Sequence, residues 1–395
     1  MDALMTTLPK DWEIKTFRDI STINQGLQIP ISQRLKAPTE HAKFYITIQA
    51  LNNRKEFEYI KTYNESVVCH KDDILMTRTG NTGMVITNIE GVFHNNFFKI
   101  NFDRTLINKD FLVYFLSLEQ TQRTILKKAG TSTIPDLNHN DFYSLTIPLP
   151  PLNEQIAIAN ILSALDRYLY ALDALILKKE GVKKSLSFEL LSQRKRLKGF
   201  NQAWQRVKVK DFGIIITGST PLTQISEYWN GTISWITPTD INDNKDIFNS
   251  ERKITQKGLD TIRMIPKNSV LVTCIASIGK NAILRVNGAC NQQINAIIPN
   301  KDFNADFIYY LMENNKQYLL EKAGVTATYI ISKQVFEEID FFVPKDLNEQ
   351  IAIANILSTL DNEITSLKNK KRQFENIKKA LNHDLMSAKI RVLEK

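Results

Sequence analysis

Residues 152 to 166 read LNEQIAIANILSALD and residues 347 to 361 read LNEQIAIANILSTLD. Fourteen of the fifteen positions are identical at a separation of 195 residues, and only Ala164 and Thr359 differ. A chain that carries one amphipathic segment twice, each time behind about 150 residues of different sequence, is a duplicated unit. Such a duplication constrains the fold more than any local propensity does. Weaker echoes recur upstream in the same order. DWEIKTFRDISTINQG (11 to 26) parallels AWQRVKVKDFGIIITG (203 to 218), aligning Trp12 with Trp204 and Gly26 with Gly218. DILMTRTGNTGMV (73 to 85) parallels SVLVTCIASIGKNA (269 to 282), HNNF (94 to 97) parallels CNQQ (290 to 293), and KKAGTST (127 to 133) parallels EKAGVTA (321 to 327). A length of 395 residues exceeds one ordinary core. The expected organisation is a first domain at 1–151, a helix at 152–200, a second domain at 201–346 and a second helix at 347–395.

In the first helix Ile158, Leu162, Leu165, Leu169, Leu172 and Ile176 fall at alternating steps of four and three. Ile353, Leu357, Leu360, Ile364, Leu367 and Phe374 nearly repeat them, with Lys371 on one seam position. This spacing predicts a coiled-coil seam, although a helix covering its own domain would carry a similar stripe. The prolines of IPLPP (147 to 151) and VPKD (343 to 346) stop what precedes each helix. Asn153 and Asn348 are the expected N-caps, with Glu154 and Glu349 in the first turn, where the helix dipole favours a carboxylate. Gly181 costs about 1 kcal/mol relative to Ala and marks where a bend would fall. A helix from 152 to about 197 is roughly 65 to 70 Å long at about 1.5 Å per residue. Only residues 199 to 204 separate it from the second domain, which must therefore begin near its far end. The second helix is then expected to run back antiparallel to the first, relating the two domains by a pseudo-twofold. Within each domain, strand-like runs such as FYITIQAL, DILMTR, SWITPTDI and SVLVTCI accompany one clear helix (110 to 128, 306 to 322). The expected class is α+β, with two globular domains separated by a long antiparallel coiled coil.

The net charge of +9 comes from 51 Lys and Arg against 42 Asp and Glu, and it is unevenly placed. Residues 178–210 hold eleven basic and two acidic side chains, and residues 366–395 hold nine and three. These two excesses exceed the chain total, so the remainder is net acidic. Residues 1–151 carry 17 basic and 16 acidic side chains, and 211–346 carry 13 and 15. Charge on the domains therefore does not announce a nucleic-acid partner. Cys69, Cys274 and Cys290 form no CxxC pair, which argues against a disulfide framework or a zinc site. MDALMTTLPKDWE lacks the pattern of a signal peptide, and no apolar run reaches membrane-spanning length, so a cytoplasmic setting with no membrane contact is expected. There is no GxxxxGK[ST] or HExxH, and the five histidines are scattered. Asp240 with Glu251-Arg252-Lys253 matches a D…ExK nuclease pattern loosely, and the first copy has no counterpart. The chain is expected to bind and position without catalysing. Its polar turns are RTGNTG (78 to 83), GTST (130 to 133), ASIGKN (276 to 281) and GVTAT (324 to 328). Arg, Asn, Thr and Ser on turns can reach base edges and phosphates, and they also furnish ordinary surface turns.

IPLPPLNEQIAIANILSALD, ITGSTPLTQISEYWNGTISWITPTDI and KKAGTSTI together resemble the specificity subunit of type I restriction-modification systems, over the whole chain. The first domain departs from the pattern, with INQGLQIPIS (23 to 32) where the second has its GxTP turn. The resemblance implies that each domain reads one half of a bipartite double-stranded DNA target and that the helices set the gap. Divergent domains imply an asymmetric target. It also implies two copies of a modification subunit, which methylate adenine, and restriction subunits that complete the endonuclease. S-adenosylmethionine, ATP and Mg are expected on those partners and no cofactor in this chain. Near-neutral domains lead to the expectation that the partners supply most of the clamp on DNA. The residues expected to touch DNA are Arg78, Thr79, Asn81, Thr82, Thr131, Ser132 and Thr133 in the first domain. In the second they are Ser219, Thr220, Ser277, Lys280, Thr326 and Thr328. Arg78 leads this set, because arginine can grip guanine with two hydrogen bonds. The repeated helix starts, Asn153, Glu154 and Gln155 with Asn348, Glu349 and Gln350, are the expected docking places for the partners. Trp12, Trp204, Trp229 and Trp235 are expected in the core. A coiled-coil scaffold that binds proteins and no DNA is the competing reading, and a self-contained nuclease is a third.

Overall fold

A computed structural model describes residues 8–52, 57–242, 244–325 and 329–392, and every statement of number or absence below refers to these residues. The chain packs as two compact units, Met1–Asp173 with Asn369–Lys395, and Ala174–Lys368. Each unit is a globular head with the front half of the helix that follows it and the rear half of the other helix.

The two long helices span Leu152–Leu191 and Leu347–Met386, 40 residues each, or roughly 60 Å. They begin one residue earlier than the sequence predicts, so Asn153 and Asn348 lie inside the first turn and do not cap it. In the second helix Asp346 takes that role, its carboxylate accepting the Asn348 N–H at 2.8 Å. The first helix follows Pro150 and Pro151, and the Pro151 carbonyl accepts the Glu154 and Gln155 N–H groups at 2.9 and 3.0 Å. The first helix also ends at 191 and not near 197. Gln193 (φ 60°) and its counterpart Ala388 (φ 54°) turn left-handed. That reversal brings the Lys195 N–H back to the Glu189 carbonyl at 3.1 Å and the Ile390 N–H to Asp384 at 3.2 Å. Gly181 lies within an unbroken helix.

The seam is antiparallel within each unit. In the first unit Tyr168 packs on Phe374 with ring centroids 4.7 Å apart. There Lys371 brings its ammonium to Asp173 at 2.7 Å, and Lys378 pairs with Asp166. In the second unit Lys179 meets Glu363 at 2.7 Å, Lys368 meets Glu180 at 2.6 Å, and Lys183 pairs with Asp361.

The first head has two four-stranded sheets. One is antiparallel, in the order Ser21–Gln25, Phe97–Phe102, Ile74–Thr77 and Val85–Ile86; the other runs Tyr59–Ile60, Lys43–Ile46, Gly91–Phe93 and Val68–Cys69. In the second head Gly213–Thr217, Ile294–Pro299, Ser269–Thr273, Asn281–Leu284 and Asp246–Ile247 form one sheet. Lys253–Ile254, Trp229–Ile236 and Gly288–Cys290 form another. Each expected single helix is a pair, Lys109–Leu116 with Glu119–Ala129 and Ala305–Asn314 with Lys316–Glu321. Asn108 and Asn304 cap the first helix of each pair, accepting from the Phe111 and Phe307 N–H groups at 3.0 and 2.9 Å. Finally, each head closes on itself: Glu13–Thr16 pairs with Thr146–Leu149, and Trp204–Lys208 with Asp340–Pro344. Chain entry and exit are thus held side by side where the long helix begins.

Candidate nucleic-acid interface

In the first head the turn after Ile74–Thr77 passes through left-handed Gly80 and Asn81 (φ 64° and 51°) and is tied by the Thr77 hydroxyl, which donates to the Asn81 carbonyl at 2.6 Å. The segment behind Gly130 crosses to it. The Leu137 N–H donates to the Arg78 carbonyl at 2.8 Å, and the Thr82 hydroxyl donates to the Pro135 carbonyl at 2.6 Å. Two of the predicted loops, more than 50 residues apart, are therefore one surface. Two of the residues expected to touch DNA are engaged within the fold. Arg78 pairs with Asp136 at 2.7 Å, is 18% exposed, and lies 5.6 Å over the Phe98 ring. It is a strut between the turns, not a free fork. Thr82 is buried, its hydroxyl engaged. Asn81, Thr131, Ser132 and Thr133 are exposed, and Thr79 is half-buried in a backbone bridge to Asp136. The Asn96 carbonyl accepts the Arg78 N–H at 2.8 Å. Asn96 also lines a cavity of about 570 Å³ with Tyr45, Thr47, Gln49, Asn52 and His94. Burial holds the His94 imidazole below its usual value, and its Nδ1 accepts the Asn96 N–H at 3.1 Å. The amide-bearing side chains Gln49, Asn52 and Asn96 were not visible as a group in the sequence, because only the fold brings them together.

The second head builds the equivalent edge from different side chains. The Ala276 N–H donates to the Tyr329 carbonyl at 3.0 Å, and the Ile331 N–H to the Cys274 carbonyl at 2.9 Å. The Cys274 N–H donates to the Gln293 carbonyl at 2.8 Å, the Ser219 N–H to Cys290 at 2.8 Å, and the Thr220 hydroxyl to the Gln292 side chain at 2.6 Å. Ser277 and Lys280 are exposed, while Ser219 and Thr220 are half-buried. The Ser219 hydroxyl oxygen is buried without a partner. Thr326 and Thr328 lie outside the described residues. The glycine shared by the two heads has a steric reason. A Cβ on Gly26 would lie 2.2 Å from the Phe93 carbonyl oxygen, and one on Gly218 2.1 Å from that of Asn291. Trp12, Trp204 and Trp235 are buried, as expected of core residues, whereas Trp229 is half-buried. The Trp235 and Trp229 indole N–H groups donate to the Ser219 and Leu222 carbonyls at 3.0 and 3.2 Å and so hold the GSTP turn. Asp240 accepts from Thr237 at 2.8 Å and from the Glu251 N–H at 2.9 Å. It serves a turn, and among the described residues no cluster of three His, Cys, Asp or Glu is placed to hold a metal.

The repeated Glu-Gln pairs face inward, contrary to the expectation that they present a docking surface. Glu154, Gln155, Glu349 and Gln350 are each at most 2% exposed. Gln155 accepts the Asn108 N–H at 2.9 Å and donates to the Leu106 and Pro150 carbonyls at 3.0 and 2.8 Å. Gln350 makes the same three bonds, with Asn304, Asp302 and Pro344 at 3.0, 3.2 and 3.0 Å. Glu154 receives the Trp12 indole at 3.1 Å and a two-bond grip from Arg391 at 2.7 and 2.8 Å. Glu349 receives Trp204 at 3.3 Å and Arg196 at 3.2 and 2.8 Å. Arg196 and Arg391 stand 195 residues apart, the spacing of the repeat itself. A buried carboxylate needs such partners, because an unpaired buried charge costs several kcal/mol. These residues weld each long helix to its head, and only Asn153 and Asn348 of the six are exposed.

The model of the type I restriction modification DNA specificity domain matches this chain twice, over residues 9–179 and 201–376. The type I restriction enzyme MjaIX specificity subunit of Methanocaldococcus jannaschii is 36% identical over 182 residues, a match spanning 45% of this chain and 41% of that protein. The MjaVIII specificity subunit of the same organism is 25% identical over 416 positions, spanning 98% and 94%. Among solved structures, the type I restriction-modification S subunit from M. genitalium shares the fold with a TM-score of 0.63. That match has 17% identity and covers 96% of this chain and 97% of that one. Matched over most of its length by two copies of one family model, the chain belongs to the type I restriction-modification DNA specificity family, whose part in such a system is specificity and not catalysis.

Proposed function

We propose that this chain reads a two-part, asymmetric double-stranded DNA target, one half with each head. In this reading 1–151 and 201–346 are the recognition domains, and the helical segments 152–200 and 347–395 are the spacers. Two modification subunits, carrying S-adenosylmethionine, methylate adenine in the target, and restriction subunits using ATP and Mg complete the system in the cytoplasm. One observation carries the reading: equivalent polar edges in the two heads are built by the same backbone bonds but carry different side chains. Asn81 with Thr131–Thr133 stands on one edge, and Ser277 with Lys280 on the other. Equal scaffolds with unequal side chains suit two different half-sites. Partner docking then falls to exposed helix positions such as Asn153, Ile156 and Asn160, matched by Asn348 and Asn355.

The test is to co-express the full chain with its modification subunit in a methylation-free host and map N6-methyladenine across the genome. A single two-part motif with a fixed gap is the expected result. An assembled complex that binds S-adenosylmethionine yet leaves no new methylation would favour the scaffold reading.

A further inference from the structure

The segment Glu251-Arg252-Lys253, which resembles a nuclease motif, holds an arginine whose setting is unlike that of its neighbours. Its carbonyl is fixed, accepting the Trp235 N–H at 3.3 Å and the Ser250 hydroxyl at 2.6 Å. Its guanidinium lies over two indoles at once, 4.1 Å from the Trp229 centroid and 4.9 Å from that of Trp235. Those rings pack edge to face with centroids 5.1 Å apart. Among the described residues no carboxylate pairs with this guanidinium and no hydrogen bond engages it, although the residue is exposed. Two other arginines of this head are held by carboxylates: Arg206 is bonded to Asp340 at 2.5 Å, and Arg285 to Asp246 at 2.6 Å and Asp306 at 2.8 Å.

We infer that Arg252 is a base-reading side chain of the second head, offering its guanidinium fork to a guanine. This rests on the DNA-reading role proposed above and names one residue and one base within it. The aromatic faces hold the planar group in place, so little side-chain entropy is lost when it binds. Its N–H groups are free to bond in pairs, which matches the O6 and N7 acceptors of guanine in the major groove. The two indoles beneath it also hold the Ser219 and Leu222 carbonyls, so the arginine shares a base with the GSTP turn. A phosphate would satisfy the same fork. The head's 13 basic and 15 acidic side chains between 211 and 346 favour a base contact over a backbone cradle.

The experiment maps methylation by the assembled complex for the unmodified chain, R252A and R252K, with assembly checked for each. R252K keeps the charge and loses the fork. Both variants are expected to relax discrimination at one guanine position in one half of the motif, by roughly 5- to 150-fold, and to leave the other half intact. An unchanged motif in both variants would overturn the assignment. So would relaxation at a position that holds no guanine. A uniform loss of methylation in R252A that R252K restores would mark a phosphate contact and overturn it equally. If the unmodified complex assembles and leaves no motif, the DNA-reading role fails, and this assignment fails with it.

Discussion

Glu349 carries a carboxylate at 1% exposure, and all that holds it there is a guanidinium from Arg196 and an indole N–H from Trp204. Removing Arg196 leaves the charge buried and half-satisfied, whereas also neutralising Glu349 removes the cause of the penalty. R196A should therefore destabilise the second unit by about 3 kcal/mol, and R196A/E349Q should recover much of that loss. Urea unfolding followed through tryptophan fluorescence checks it. A double variant no more stable than R196A would show that the pair matters for its packing and not for its charge. The cysteines make a second prediction at this scale. Burial pushes the Cys69, Cys274 and Cys290 thiols up to about 12. A raised value keeps the unreactive thiol form through the ordinary pH range, and the thiolate is the nucleophile. At pH 8 the folded chain should therefore leave Ellman's reagent nearly untouched, and denaturant should release three thiols. Rapid modification without denaturant would count against this packing.

Among the elements, the long helices are what the sequence shows best, because a seam of Ile and Leu at steps of three and four is a local signal. Their ends are less legible. Gln193 and Ala388 reverse the chain with left-handed backbones where no glycine marks the stop. Gly181 sits mid-helix, and a Cβ there would meet nothing within 4 Å. Nothing in the packing requires the glycine, so G181A should stabilise the chain by roughly 0.5 to 1 kcal/mol. A lower melting temperature for that variant would mean that the helix needs the glycine in some bent form. The heads were readable as α+β, and their polar turns could be named. Which turns meet could not be read, because the bonds from Leu137 to Arg78 and from Ala276 to Tyr329 join segments more than 50 residues apart. Arg78 looked free for the same reason, since Asp136 is its neighbour only in the fold. The Glu-Gln pairs misled in another way. A polar motif repeated without change is what a docking surface would show, and a buried weld between helix and head preserves the same residues. Arg196 and Arg391, half of that weld, lie beyond the near-identical stretch and carry no local signal apart from their spacing.

At the scale of the whole molecule, the net charge of +9 is unevenly placed. It is concentrated in the helical segments, and there Lys179, Lys183, Lys368, Lys371 and Lys378 are paired with carboxylates of the facing helix. The heads themselves are near neutral, with 17 basic and 16 acidic side chains in 1–151 and 13 and 15 in 211–346. Affinity for random duplex comes mainly from displacing counterions with protein cations, and each phosphate neutralised steepens the salt dependence by about 0.9 in log–log slope. With both heads near neutral, the isolated chain should therefore bind random DNA more weakly than about 1 μM at physiological salt, with a slope shallower than about −3. If the modification subunits bring most of the phosphate contacts, as the proposed division of labour requires, the assembled complex should bind more tightly and with a steeper slope. Fluorescence anisotropy on a random duplex across a salt series distinguishes the cases. If the isolated chain bound below 1 μM with the slope of the full complex, the heads would themselves be the clamp, and the proposed division between a reader and its gripping partners would be wrong.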